Sequence, residues 1–227
     1  ENISKSYGDR TLFSNISFNI NEGDKIALVA PNGTGKSSLM KILAGIESSD
    51  CGGEVKFMKD IRVAFLDQSF NFNPHHTIFE EVYAHMGNIA PEILEYEAAV
   101  ASGNSSRLER AIASMDASGS WDIEHNIRQV LSQLKIEQLN QPMSELSGGE
   151  AKRVALACMI LQNADFLIMD EPTNHLDIEI IEYLENFLQR SRCTLFMVTH
   201  DRYFLDRVCN TIMEIDRGNL YTYRGNY

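Results

Sequence analysis

The chain has 227 residues and a formal net charge of −12, from 20 Lys and Arg against 32 Asp and Glu. A hydrophobic fraction of 44% and a charged fraction of 23% suit a globular protein with a real core and exclude a mainly disordered chain. No apolar run approaches the ~20 residues needed to cross a bilayer, and no basic-then-apolar leader opens the chain. The acidic balance argues against this chain alone gripping a nucleic-acid backbone, which needs clustered Lys and Arg. Cys51, Cys158, Cys193 and Cys209 are scattered with no Cys-x-x-Cys pair. Neither zinc nor a disulfide framework is expected, and a reducing cytoplasm is the natural location. His75-His76 and the other histidines have no metal-ligand spacing and read as loop or surface residues. The length fits one large domain, and a start at Glu1 with an end at Tyr227 just after strand-like sequence reads as an excised domain.

In chain order, Ile16-Ser17-Phe18-Asn19-Ile20 alternates apolar and polar residues, which predicts a half-buried strand. Residues 26–30 form a short apolar run, as in a strand buried on both faces. A Gly-rich loop follows at 32–35, then a helix over 38–43 with Gly45 as its cap. Residues 51–53 read as a turn, and 54–57 and 62–66 as strands. From 77 to about 139 apolar residues recur at helical spacing, as in Ile78 and Val82, or Ile127, Val130, Leu131 and Leu134. Within that span helices over about 91–101 and 105–117 flank a Ser/Gly/Asn turn, and 118–120 ends the hairpin. After Ser147 come a helix (150–161), a buried strand (166–169), a helix (178–189), a buried strand (194–198) and a short helix (202–208). Strands over 212–215 and 220–223 are separated by Asp216-Arg217-Gly218-Asn219. This alternation specifies an α/β core with a mainly parallel sheet, interrupted by a helical insertion.

Three motifs carry chemistry. Asn32-Gly33-Thr34-Gly35-Lys36-Ser37 lies between a buried strand and a helix, the context of a phosphate-binding loop. Glycines let backbone N–H groups turn onto phosphate oxygens, and the helix adds its positive end. Lys36 is then the residue for the β- and γ-phosphates and Ser37 a ligand for Mg²⁺. The first position of the strict motif is Ala30 rather than Gly, so that turn must have negative φ or be slightly strained. Phe166-Leu167-Ile168-Met169-Asp170-Glu171 is an apolar strand ending in two carboxylates. Parallel sheets present ligand-binding groups at the carboxyl ends of their strands. Asp170 there suits Mg²⁺, and Glu171 a role in polarising the attacking water. Leu146-Ser147-Gly148-Gly149-Glu150 opens a helix with a capping Ser and two bare glycines, a second helix start suited to an anion.

The phosphate (Walker A) loop, residues 146–150, residues 166–171 and Thr199-His200-Asp201 together resemble an ATP-binding cassette (ABC) nucleotide-binding domain, over essentially the whole chain. The resemblance implies a P-loop NTPase core with a mainly parallel sheet, an antiparallel β subdomain and an α-helical subdomain. Residues 1–76 and 147–227 would form the core and β subdomain, and 77–146 the helical subdomain with a short arm at about 91–117. It implies ATP and Mg²⁺ as ligands, with Asn32, Gly33, Thr34, Gly35, Lys36, Ser37 and Ser38 around the phosphates. Tyr7 then lies against adenine, Gln68 near Mg²⁺ and the attacking water, and His200 at the γ-phosphate. Ser147, Gly148, Gly149 and Glu150 would act on the nucleotide of an opposite cassette, in the same polypeptide or a second copy.

Asp170-Glu171-Pro172-Thr173-Asn174-His175-Leu176-Asp177 and the stretch from His200 to Val208 are similar to the ABC-F family, as is Glu150 where transporter cassettes usually have Gln. That family has two cassettes in one polypeptide and no transmembrane domain. The ending from Gly218 to Tyr227 looks like the run into its inter-domain linker, which implies the first cassette. The arm is short, and Arg107 and Arg110 are too few to grip RNA alone. The resemblance implies an ATPase of the cytoplasm acting on the ribosome. The alternatives are the energising subunit of a membrane transporter and a DNA-associated cassette ATPase.

Overall fold

The computed structural model describes residues 1–68, 71–86, 91–216 and 218–225. In chain order the elements are β1 (Ile3–Tyr7), β2 (Arg10–Ile16), β3 (Lys25–Val29), α1 (Lys36–Leu43) and β4 (Val63–Leu66). Helices α2 (Ile78–His85), α3 (Pro91–Ser102), α4 (Ser105–Ser118), α5 (Trp121–Gln133) and α6 (Gly148–Leu161) follow. The chain then runs through β5 (Phe166–Asp170), α7 (Ile178–Arg190), β6 (Thr194–Val198), α8 (Arg202–Val208), β7 (Thr211–Asp216) and β8 (Asn219–Arg224). Two compact units result, one from Glu1–Phe70 with Asn163–Tyr227 and a second from Asn71–Gln162.

The first unit holds a mixed six-stranded sheet in the order β4-β5-β6-β3-β7-β8, parallel except for the β7–β8 pair, and a separate antiparallel pair β1–β2. This is the expected α/β fold. Strands β5 and β6 are buried at all five positions, which explains why they read as unbroken apolar runs. Phe13, Leu39, Ile168 and Phe196, all fully buried, knit the two sheets and α1 into one core. Helix α1 ends in a Schellman turn: Gly45 N–H donates to Ile42 O and Ile46 N–H to Lys41 O, with Gly45 at φ 74°.

Two strand expectations need correction. The ladder predicted at 16–20 ends at Ile16, because the true strand is β2, seven residues long. Alternating burial continues through Phe18 and Ile20, but without strand pairing. Residues 54–57 form no strand either. Val55 is half-buried, yet the segment makes only isolated backbone bonds, such as Glu54 N–H to Glu1 O at 3.0 Å. Period-two burial marks an extended chain, not its partner. β1 was not foreseen, since its Ile-Ser-Lys-Ser-Tyr sequence has almost no apolar content.

The second unit is helical. Helices α3 and α4 form the expected hairpin, closed by an ion pair from Arg107 Nε to Glu95 Oε1 at 2.7 Å and stopped by Gly119 at φ 67°. Helix α6 packs against α2 and α5, so it belongs to this unit rather than to the core assigned to 147–227. The reason is its burial: nine of its positions are covered, from Lys152 to Leu161. His76 is not a plain surface residue. With His85 it flanks the buried carboxylate of Glu81, at 2.7 and 3.5 Å. Arg217, Asn226 and Tyr227, part of the expected final turn and ending, lie outside the described residues.

Candidate functional site

Four parallel strands in the order β4-β5-β6-β3 point their carboxyl ends at one edge of the sheet. Leaving β3, the chain makes the Gly-rich loop and enters α1 at Lys36. Gly33 and Gly35 have φ of 77° and 96°, the region that favours glycine. A methyl on Gly35 would also lie 2.9 Å from Leu12 Cδ1 and from Phe13 Cε1. Ala30 is not among the positive-φ residues, so the departure from the strict motif carries no strain of that kind. Lys36 Nζ bends back into the loop and donates to Ala30 O (2.8 Å), Pro31 O (3.2 Å) and Asn32 Oδ1 (3.3 Å). Thr34 Oγ1 donates to Pro31 O at 2.8 Å. Ser38 follows in the first turn of α1.

Asp170 ends β5 almost fully buried. Its Oδ2 accepts the Ser37 hydroxyl at 2.7 Å and its Oδ1 accepts Gln68 Nε2 at 3.2 Å. Ser37, Gln68 and Asp170 are thus brought together. Glu171 is buried and takes φ 50°, a strained backbone for a side-chain-bearing residue. Its N–H is fixed by Val198 O at 2.8 Å. Its carboxylate accepts the His200 N–H at 3.3 Å and lies 3.4 Å from His200 Nε2, whose imidazole is largely exposed.

Tyr7, at the end of β1, lies 3.3 Å from Ser38 Oγ and donates to Glu47 Oε2 at 3.1 Å, with its ring more than half exposed. Flanking acids hold the loops. Asp67 accepts the Gln68 N–H at 2.7 Å and pairs with Lys41 at 3.5 Å. Asp177 and Asp201 cap α7 and α8. Sequence reasoning missed three residues. Arg10 donates to Gly33 O at 2.9 Å, and Thr173 and Thr199 join hydroxyls at 3.2 Å between the loops after β5 and β6. Nothing in a polar strand marks Arg10, but both threonines sat inside motifs already singled out.

In the helical unit Ser147 caps α6. Its hydroxyl accepts the Glu150 N–H at 3.3 Å, while Glu150 Oε2 accepts the Ser147 N–H at 2.9 Å and hydroxyl at 2.6 Å. The Ser147 hydroxyl, and then its backbone N–H, hold the Glu150 carboxyl below its ordinary value. A methyl on Gly148 would meet nothing within 4 Å, and Gly148 has no positive φ. This chain's own fold therefore gives no reason for glycine there.

Among the described residues, no helix is long and apolar enough to cross a membrane. The ABC transporter family model matches residues 13–174. The chain is 45% identical over its full length to the uncharacterized ABC transporter ATP-binding protein YfmR of Bacillus subtilis (strain 168), 37% of which it covers. It is 36% identical to the energy-dependent translational throttle protein EttA of Escherichia coli (strain K12), over 96% of this chain and 41% of EttA. It is 35% identical to the ATP-binding protein Uup of Haemophilus influenzae, over 98% of this chain and 35% of Uup. The chain thus spans well under half the length of these relatives. Two solved structures share its fold. One is an ATP-binding subunit of an ABC transporter, with TM-score 0.77 and 17% identity over 99% of this chain and 88% of the other. The second is a dimeric ATP-binding cassette in a post-hydrolysis state bound to ADP and Pi, with TM-score 0.67 and 23% identity over 99% and 97%. With the phosphate loop and the acidic strand end both inside the matched span, the chain belongs to the ABC transporter family as an ATP-binding domain, and its relatives EttA and Uup are of the ABC-F group.

Proposed function

We propose that this cassette binds and hydrolyses ATP with Mg²⁺, closes on a second cassette, and works on the ribosome rather than in a membrane transporter. The observation that carries the chemistry is the convergence of Ser37 and Gln68 on Asp170 beside a loop that holds Lys36. The donor set fits the ligands. Ser37, Gln68 and Asp170 offer hard oxygens, which suit Mg²⁺ bound through few side chains and completed by phosphate and water. Two left-handed glycines and a helix start suit phosphate oxygens. Bound there, Mg²⁺ would neutralise charge on the β- and γ-phosphates.

The residues divide the remaining work. Lys36 exchanges its loop carbonyls for phosphate oxygens, and Asn32, Gly33, Thr34, Gly35 and Ser38 surround them. Asp170 and Ser37 hold the cation, with Gln68 fixed to the same carboxylate. Glu171 orients the attacking water as a general base, and His200 shares its charge and reaches the γ-phosphate. Tyr7 offers its open ring to adenine. Ser147, Gly148, Gly149 and Glu150 serve the nucleotide of the opposite cassette, which gives the open space at Gly148 a purpose.

The ribosome reading is supported by likeness to EttA, named as a translational throttle, over 96% of this chain. The transporter reading keeps the support of the family name and of YfmR's. The comparisons lend no support to DNA. The test uses the intact protein with Glu171→Gln, and the matching change in any second cassette, to hold the ATP-bound form. Co-sedimentation with ribosomes in ATP but not ADP is the expected result. No association, in a sample shown to bind ATP, would overturn the ribosome reading, and Lys36→Ala with undiminished ATP affinity would overturn the site.

A further inference from the structure

The strand that carries Tyr7 is stitched to the far end of the phosphate-loop helix. After the turn that closes α1, residues 47–50 run beside β1. Lys5 Nζ reaches Ser48 O at 3.2 Å and Glu47 Oε2 at 3.3 Å. The Ser4 N–H donates to Ser49 Oγ at 3.0 Å, and the Ser6 N–H to Asp50 Oδ2 at 2.7 Å. Glu47 is the node of this seam. The same Oε2 that pairs with Lys5 accepts the Tyr7 hydroxyl, and the Lys5 ammonium lies 5.5 Å from the Tyr7 ring centroid. The Lys5 and Glu47 side chains are only 13% and 27% exposed, whereas Tyr7 is 54% exposed. A sheltered ion pair therefore grips the phenol end of a ring whose body remains open to solvent.

A ring held in one orientation gives up less freedom when a flat ligand stacks on it. The seam also ties that ring to the one rigid rod, α1, whose first turn bears Lys36, Ser37 and Ser38. The spacing between phosphate cradle and ring is thereby preset. We propose that Glu47, braced by Lys5, is a positioning residue that sets the Tyr7 ring as the platform for the nucleotide base. It makes the site prefer a base-bearing triphosphate over the bare polyphosphate. This rests on reading the loop as the phosphate site and Tyr7 as the base contact.

The test is calorimetric titration of the intact protein with ATP and with inorganic tripolyphosphate, subtracting whatever binding survives in Lys36→Ala. The readout is the ratio of the two affinities. In Glu47→Ala the ratio should shift about fivefold against ATP, the net worth of one ordinary hydrogen bond. Glu47→Gln removes the same charge but keeps an acceptor for the phenol, so its ratio should stay near wild type. Tyr7→Ala should shift the ratio the same way, and adding Glu47→Ala to it should do nothing more. An unchanged ratio in Glu47→Ala, or a further shift in the double variant, would overturn the positioning role while leaving Tyr7 as base contact. A Tyr7→Ala ratio equal to wild type would overturn that contact and the proposal with it. Absence of any Lys36-dependent binding of either ligand would overturn the phosphate site itself.

Discussion

Gly35 makes the sharpest test of the packing argument. It sits at φ 96°, and a methyl there meets both Leu12 Cδ1 and Phe13 Cε1 at 2.9 Å. Holding an L-residue in the left-handed region costs about 1–2 kcal/mol. Forcing an extra carbon into packed surroundings adds about 1–3 kcal/mol. The tip of Leu12 can swing aside, but Phe13 is fully buried, so Gly35→Ala should lose about 3 kcal/mol in all. Gly45 supplies the control. It has φ 74° with nothing within 4 Å, so Gly45→Ala should show the backbone term alone, about 1 kcal/mol. For a chain of this size each kcal/mol moves the melting point by about 2–4 °C. Scanning calorimetry should therefore find Gly35→Ala down by about 6–12 °C and Gly45→Ala by about 2–4 °C. Equal losses would refute the packing part of the argument, and no loss in either would refute the backbone part.

Three further outcomes follow from features of the helical unit and the cysteines. Gly148→Ala should leave the melting point unchanged or slightly higher, since a methyl meets nothing there and Ala is the better helix former, while ATP turnover falls. A lower melting point with normal turnover would remove Gly148 from the composite site. Glu80 lies below its ordinary 4.5 chiefly through the Thr77 backbone N–H, and Glu150 chiefly through the Ser147 hydroxyl. A depressed folded value adds stability above the unfolded value and loses it as pH falls through the folded one. Helicity should hold near pH 5 and decline below about 4.5, and Glu80→Gln with Glu150→Gln should flatten that decline in circular dichroism. An identical acid limb would refute the assignment. Burial pushes the Cys158 and Cys209 thiols up to about 12, whereas Cys51 is exposed. Iodoacetamide at about pH 8 should label Cys51 and spare the other two in mass spectrometry, and labelling of Cys158 without unfolding would contradict its burial.

How much of this was legible beforehand depended on whether a residue's neighbours were local. The strands β5 and β6 and the hairpin of α3 with α4 were readable because burial on both faces, or on one helical face, writes its own period. β1 was not, because it is held by pairing to β2 and by side chains near Ser49, not by apolar content. The phosphate loop and the acidic pair announced themselves through their local sequence, and His200 only through the resemblance to an ATP-binding cassette. Their joining at one sheet edge came from strand order, which no single segment encodes. Helix α6 misled for the opposite reason. Its first turn reads as part of a motif, while its length is committed to packing on α2 and α5.

The capping box at Ser147 has a consequence for reversibility. Its hydroxyl already donates to a carboxylate, Glu150 Oε2, at 2.6 Å. A phosphate arriving from an opposite cassette would find that proton engaged, and would replace one anionic acceptor with another. Each of the two bonds is charge-assisted, so what closure gains at this atom is their difference and not the strength of either. A contact of that kind can specify where the nucleotide sits without resisting its departure. On the proposed function, in which the cassette shuts and reopens at each turnover, an exchange of nearly equal partners keeps both directions of the cycle passable.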